Sequence, residues 1–354
     1  MTTGQVSGYV LKICREQTGQ TQQRFAERCG VDITTMQSWE SGRRPLAAMS
    51  AGSLAAIIRR LVAMGADPTT VALLDTAMQA DSIISHALTA GGDDVRTHPL
   101  SQWVITRNVT HMIAWALNGQ TPAALPQWPA RRSGPVPNAP LLALDAQRAF
   151  FASVRSAAER AGAAGDAGAL LARQCLYLSS YDMAGDTRAW IGSMSTYPLV
   201  KDHTEWSPSW VTARSVATSV TRHGQMDLLD RFIRDGLASD TGSAANLAYW
   251  AHWLGVDRLP RSGDEFMADS ATTWDPSALL RALMDRLSPG LGCLALNVRS
   301  VWSLTLAHPW LLSDPTLGKA VGDRAELLLD CAELPATTRK ELDQMHYGVR
   351  LYRR

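Results

Sequence analysis

Apolar residues recur at three- and four-residue spacing along most of the chain, and proline, glycine and capping residues interrupt them every ten to twenty positions. This is the pattern of short helices. Residues 6–16 place Val10, Ile13 and Cys14 on one face. Residues 21–46 read as two short helices, a tight turn between them and a basic loop after them. Thr21 is placed to cap the first, which buries Phe25, Ala26 and Cys29 and stops at Gly30. Asp32 is placed to cap the second, which buries Met36 and Trp39, ends at Gly42 and runs into Arg43, Arg44 and Pro45. A helix over 48–64 buries Leu54, Ile57, Ile58 and Leu61. Asp67-Pro68 opens another, reaching about residue 88 through Val71, Leu74, Met78 and Ile84.

Gly91, Gly92, Asp93 and Asp94 break the pattern, and residues 99–117 read as one further helix with Trp103, Met112 and Trp115. Residues 119–140 hold six prolines (Pro122, Pro126, Pro129, Pro135, Pro137 and Pro140), which exclude regular structure and mark a linker; Arg131 and Arg132 in it read as solvated charges, with phosphate contact the alternative. Beyond it the spacing predicts helices over 142–160, 166–183, 208–222, 226–233, 247–254, 279–287, a stretch containing Val298, Trp302 and Leu306, 315–331 and 335–352. Residues 198–206 read as a short extended loop. The fold class expected is all-α. It has an N-terminal five-helix bundle (1–90), an accessory helix suited to dimerisation (91–118), a Pro-rich linker (119–140) and an array of antiparallel helical hairpins (141–354).

The segment 21–46 resembles the helix-turn-helix of Cro/C1-type (XRE-like) regulators. Thr21-Gln22 opens the first helix, Ala26 lies at the helix crossing and Gly30 in the turn. Met36 and Trp39 are the buried sites, and Glu40-x-Gly42 closes the second helix before basic residues. The likeness covers about a fifth of the chain. It implies that double-stranded DNA is the partner, that the second helix enters the major groove, and that Ile33, Thr34 and Ser38 meet bases. Gln37 faces the same way and can pair bidentately with adenine, while Ile33 and the Thr34 methyl suit a thymine methyl. No Arg or Lys lies on this face, so guanine readout by a guanidinium is not expected. The resemblance also places Gln22 on phosphate, and Arg43 and Arg44 would grip phosphate just past the helix, which fixes register without reading sequence.

Charge supports this assignment. Residues 1–66 carry eight basic and four acidic side chains, a net +4, while the whole chain is +1. The positive excess therefore sits with the unit that would meet phosphate. The composition, 46% hydrophobic and 19% charged, provides cores for two or three domains and excludes wholesale disorder. No apolar run is long enough to cross a bilayer and no secretory signal opens the chain, so a cytoplasmic protein without a membrane partner is expected. Five cysteines without a CxxC pair point to reduced thiols.

Twelve tryptophans are many, and nine lie outside residues 1–118. Most suit packing between helices. The densest group, Tyr249, Trp250 and Trp253, is the expected ligand-binding patch if the C-terminal helices, which are tetratricopeptide-like in texture, hold a small molecule, a peptide or a partner protein. Enzymatic signatures are absent. His203-x-Glu205 lacks the cysteines of a zinc deaminase, Gly290-Leu291-Gly292 is no phosphate loop, and His252, His308 and His346 are scattered. No cofactor, metal or catalytic residue is expected. Two readings stand: a homodimeric transcription regulator whose helical domain senses an effector, and an interaction scaffold or antitoxin-like protein anchored by its helix-turn-helix.

Overall fold

The computed structural model describes residues 4–89, 95–125, 138–194, 205–269, 273–288, 292–330 and 334–352. The break at Gly91–Asp94, most of the Pro-rich linker with Arg131 and Arg132, and His203, Gly290, Leu291 and Cys331 lie outside them, as does most of the 198–206 loop. The regular structure described is all helical, and it falls into two compact units: Met1–Ser101 with Arg107–Ala157, and Gln102–Thr106 with Ala158–Arg354.

The first unit contains α1 (Gln5–Gln17), α2 (Gln22–Cys29), α3 (Ile33–Glu40), α4 (Ala51–Ala63), α5 (Pro68–Thr89), α6 (Pro99–Gln102, whose last residue belongs to the second unit) and α7 (Arg107–Asn118). It also holds most of α8 (Leu144–Ala163). Its core is built on α1 against α5 and α7. Val6, Val10, Leu11 and Cys14 of α1 are fully buried with Leu74, Ala77, Ala80, Ile83 and Ile84 of α5 and Met112 and Ile113 of α7. Tyr9 meets Trp115 edge to face, with ring centroids 5.1 Å apart.

Polar groups of α5 hold both ends of α1. At the N-terminus, the buried Asp81 carboxylate accepts from the backbone amides of Val6 and Ser7, each at 2.9 Å. These amides have no partner within their own helix. At the other end, the Gln17 amide donates to Thr70 Oγ1 at 3.1 Å and accepts from the Asp67 backbone at 3.1 Å.

The expected helix over 99–117 is in fact α6 and α7, separated by residues 103–106. Residues 103–106 belong to the second unit, and their backbone bonds to side chains and loops within it. The Val104 amide donates to the Arg261 carbonyl at 2.7 Å. The Ile105 amide donates to Gln174 Oε1 at 2.8 Å, and Gln174 Nε2 returns a bond to the Trp103 carbonyl at 3.0 Å. These partners replace the i→i−4 ladder, so the pattern does not continue as a helix.

The second unit contains α9 (Ala169–Ser179), α10 (Gly185–Met194), α11 (Pro208–Thr221), α12 (Asp227–Arg231, continued by a π turn over Phe232–Gly236) and α13 (Asp240–Trp253). It continues with α14 (Pro276–Met284), α15 (Leu294–Ala307), α16 (Trp310–Ser313), α17 (Pro315–Leu329) and α18 (Ala336–Tyr352). Ser207, Asp275 and Asp314 cap the helices that start at Pro208, Pro276 and Pro315, as their Ser-Pro and Asp-Pro pairs predict. Helix α10 is not predicted, and α13 starts seven residues before the expected 247. The helices pack as an array, with α9 on α11, α13 on α15, α15 on α18 and α17 on α18.

Burial raises the Asp81 pKa to about 6, because desolvation outweighs the amides that favour the charged form. The folded state therefore binds a proton that the unfolded chain has released between pH 4 and 6. Stability from this group is fully present below pH 4 and is lost as pH rises through 6, by about 3 kcal/mol in all. Asp81→Asn cannot titrate. Urea denaturation at pH 7 and pH 4.5 is expected to show wild type gaining on Asp81→Asn at the lower pH, and a gap independent of pH would refute this assignment.

Candidate nucleic-acid interface

The helix-turn-helix is α2, the turn 30–32 and α3. Thr21 Oγ1 accepts from the Arg24 amide at 3.3 Å, capping α2. Gly30 ends it at φ +69°, and the Val31 amide donates back to Ala26. Asp32 stands at the N-cap of α3, but its side chain makes no capping bond, a departure from expectation; its carbonyl carries the first turn by accepting from Thr35 and Met36. Phe25, Ala26, Cys29, Met36 and Trp39 are all buried.

The position of α3 is set by close contact with α1. Gly8 lies under the last turn of α3, and a Cβ there would stand 2.2 Å from the Trp39 carbonyl oxygen. Gly42 has φ +74°, and its carbonyl accepts from the Gly4 amide at 3.0 Å. A side chain at 42 would be strained by that φ and would meet the Gln5 backbone at 2.6 Å.

A buried ion pair reinforces this contact. Arg15 of α1 donates through Nε to Glu40 Oε1 at 2.5 Å and through Nη2 to Oε2 at 3.0 Å. Its Nη1 reaches the Gln20 carbonyl at 2.7 Å. Gln22 Nε2 adds a bond to Glu40 Oε2 at 2.7 Å. The two charged side chains are only 7% and 3% exposed. Sequence reasoning placed Glu40 at the close of the second helix but did not pair it with Arg15. A signal existed, since Glu40 follows Met36 by four residues and so lies on the inward face, where a carboxylate requires a cation.

With α3 so placed, Thr34 and Gln37 are exposed, and Ile33 and Ser38 are half-buried along the same side of the helix. Ser38 Oγ donates to the Thr34 carbonyl at 2.7 Å, which leaves its oxygen lone pairs for a further partner. Arg43 and Arg44 are exposed just beyond α3; Arg43 Nε donates to Ser41 Oγ at 3.2 Å, and the Arg44 amide caps the Ser38 carbonyl at 3.0 Å. Gln22 is half-buried and its amide is committed to Glu40.

Tyr249, Trp250 and Trp253 are 4–6% exposed and lie in the main core of the second unit, because α13 buries nearly every side. Trp250 Nε1 donates to Ser300 Oγ at 2.9 Å, and the rings of Tyr249 and Trp253 stack. None of the three lines the cavity described next. An open cavity of about 600 Å³ does lie in this unit, lined by Asp257, Arg261, Trp274, Arg299, Trp302 and His308 among others. His252 is a buried core histidine whose Nε2 meets the Val104 carbonyl at 2.9 Å, and desolvation lowers its pKa. No cluster of three or more His, Cys, Asp or Glu among the described residues could hold a metal ion, and none of the described helices is long and apolar enough to cross a membrane.

A family model described as a helix-turn-helix domain matches residues 8–74, which takes in α1 to α4 and the start of α5. This domain is consistent with a Cro/C1-type regulator. No curated protein and no solved structure matches the chain.

Truncating Glu40 would leave the buried Arg15 charge with only the more exposed Glu16 carboxylate, 3.6 Å away, at a cost of about 3 kcal/mol. Glu40→Ala is therefore expected to lose that much in urea denaturation, and the double variant Arg15→Met/Glu40→Leu to regain most of it. A double variant no more stable than Glu40→Ala would contradict this account of the pair.

Proposed function

We propose that the protein is a sequence-specific DNA-binding transcription regulator that acts in the cytoplasm as a homodimer and lays α3 in the major groove. The observation that carries this reading is the exposed polar and methyl-bearing face of α3, within a matched helix-turn-helix domain and beside two exposed arginines. Thr34 and Gln37 read base edges, Ile33 supplies an apolar contact and Ser38 a hydrogen bond. Arg43 and Arg44 neutralise phosphates. Gln22 reaches phosphate only by way of an amide shared with Glu40, so its part is to orient the start of α2 on the backbone. Two copies bind half-sites ~34 Å apart, since one short helix provides too few contacts. The second unit, which we read as tetratricopeptide-like helical hairpins, takes up an effector and shifts DNA affinity. Its open cavity is a better place for a ligand than the buried Tyr249, Trp250 and Trp253.

Light scattering and footprinting test the assembly: a dimer protecting paired half-sites is expected, and a strict monomer or one unpaired footprint counts against the proposal. Gel shifts test the contacts. Thr34→Ala and Gln37→Ala should each lose ~1–3 kcal/mol on the operator and little on scrambled DNA. Arg43→Ala should weaken all sequences alike and lower the slope of log K against log salt by ~1. Equal losses on operator and scrambled DNA for Thr34→Ala would show that α3 does not read bases.

A further inference from the structure

Four deeply placed arginines among the described residues meet a carboxylate. Arg15 has Glu40, Arg173 has Asp264, Arg261 has Asp257 and Arg299 has Glu341. Arg214, Arg222 and Arg286 of the second unit do not, and each keeps a buried N–H group without an acceptor. Arg214 of α11 is 3% exposed, and its Nε donates to Asn246 Oδ1 at 3.0 Å while Nη2 is buried without a partner. Arg222, just past α11, donates through Nη2 to the hydroxyls of Tyr177 and Tyr181 at 2.6 and 2.9 Å, and its Nη1 is buried without a partner. Arg286, just past α14, has a buried, unpartnered Nε. None of the three has a carboxylate within ion-pair distance among the described residues.

The three converge. Arg214 lies 3.8 Å from the centre of the Tyr249 ring and 5.0 Å from that of Trp250, while Arg286 reaches the same Trp250 at 5.1 Å. Tyr177 packs against both Arg222 and Trp253. The half-buried Cys293 thiol lies among them: burial raises its pKa, and Arg222, Arg214 and Arg286 all pull it back. Ring faces cover the guanidinium planes but offer no acceptor to the N–H groups at their edges. A guanidinium keeps its charge at neutral pH, so titration does not relieve the cluster.

We propose that this cluster binds a compact oxyanion of phosphate type, held by the free N–H edges of Arg214, Arg222 and Arg286. Guanidinium forks match the tetrahedral oxygens of phosphate, and the anion supplies both the charge and the acceptors that the site lacks. The site is separate from the open cavity of this unit and adds an anion to whatever the cavity takes up, and its biological meaning rests on the regulator reading. Its existence does not, because binding is measured without DNA.

The test is thermal unfolding of the full chain, followed by tryptophan fluorescence, in inorganic phosphate and in chloride at equal ionic strength. Phosphate should raise the midpoint saturably, by roughly 5–10 °C at a hundredfold excess over its dissociation constant. Arg222→Met should abolish the rise, and Arg214→Met should do so while unfolding no earlier than wild type in chloride, because it removes a lone buried cation. If Arg214→Met does not fold, Arg222→Met and Arg286→Met carry the test. A nucleoside monophosphate in place of phosphate separates a free oxyanion from one borne on a larger molecule, and a rise with either supports the site. No phosphate-specific rise in wild type, or one undiminished in Arg222→Met and Arg286→Met, would overturn it. A failed footprint beside an intact phosphate response would strike the DNA reading alone.

Discussion

The placement of α3 depends on a charge that the protein buries. Glu40 ends α3 on its inner face, where a carboxylate could not remain ionised alone. Arg15 meets it with two nitrogens, Gln22 adds a third donor, and Arg15 extends one more bond to the Gln20 carbonyl. A pair of this kind adds little net stability over two well-packed apolar side chains. What it adds is direction: the hydrogen bonds have one geometry, and that geometry joins α1, α2 and α3. An apolar contact in the same place would tolerate small slides and rotations of α3. Readout of base edges does not tolerate them, since a bidentate amide must be aligned with its base.

The reference continues inward. The positions of Gly8 and Gly42 let the backbones of α1 and α3 approach within a distance that any side chain would prevent. Helix α1 is in turn fixed at both ends by α5, through Asp81 at its first amides and Asp67 and Thr70 at Gln17. The largest helix of the unit thus fixes α1, and α1 fixes α3. The price is one buried carboxylate, Asp81, whose raised pKa records the cost of desolvation.

The local features were legible in the sequence because their causes are local. The Thr21 cap, the Gly30 turn, the buried Phe25, Met36 and Trp39, and the proline starts of α5, α11, α14 and α17 each follow from residues within a turn of one another. The features that were missed are set at long range. Periodicity carried a helix through residues 103–106, because the bonds to Gln174 and Arg261 that replace it come from far along the chain. Tyr249, Trp250 and Trp253 look like a recognition patch in sequence, and only the packing around α13 shows that they are core. Asp81 and Arg15 look like surface charges until their partners, 75 and 25 residues away, are known.

The two units treat buried charge differently, and the difference bears on function. In the first, Glu40 and Asp81 are each met by donors from a distant element. A DNA-binding unit gains from this, because any freedom in α3 would have to be removed on binding. In the second, Arg214, Arg222 and Arg286 are gathered around Tyr177 and Trp250 with N–H groups left over. Like charges gathered in a poorly solvated place repel, and only neutral hydrogen bonds and ring faces hold them there. Any state of this unit that spreads them apart gains from doing so, and an anion between them reverses the preference. Under the proposed reading, the unit that meets DNA has its buried carboxylates met by donors and the unit that takes up the effector has arginine N–H groups left over, so a ligand has more to gain in the second.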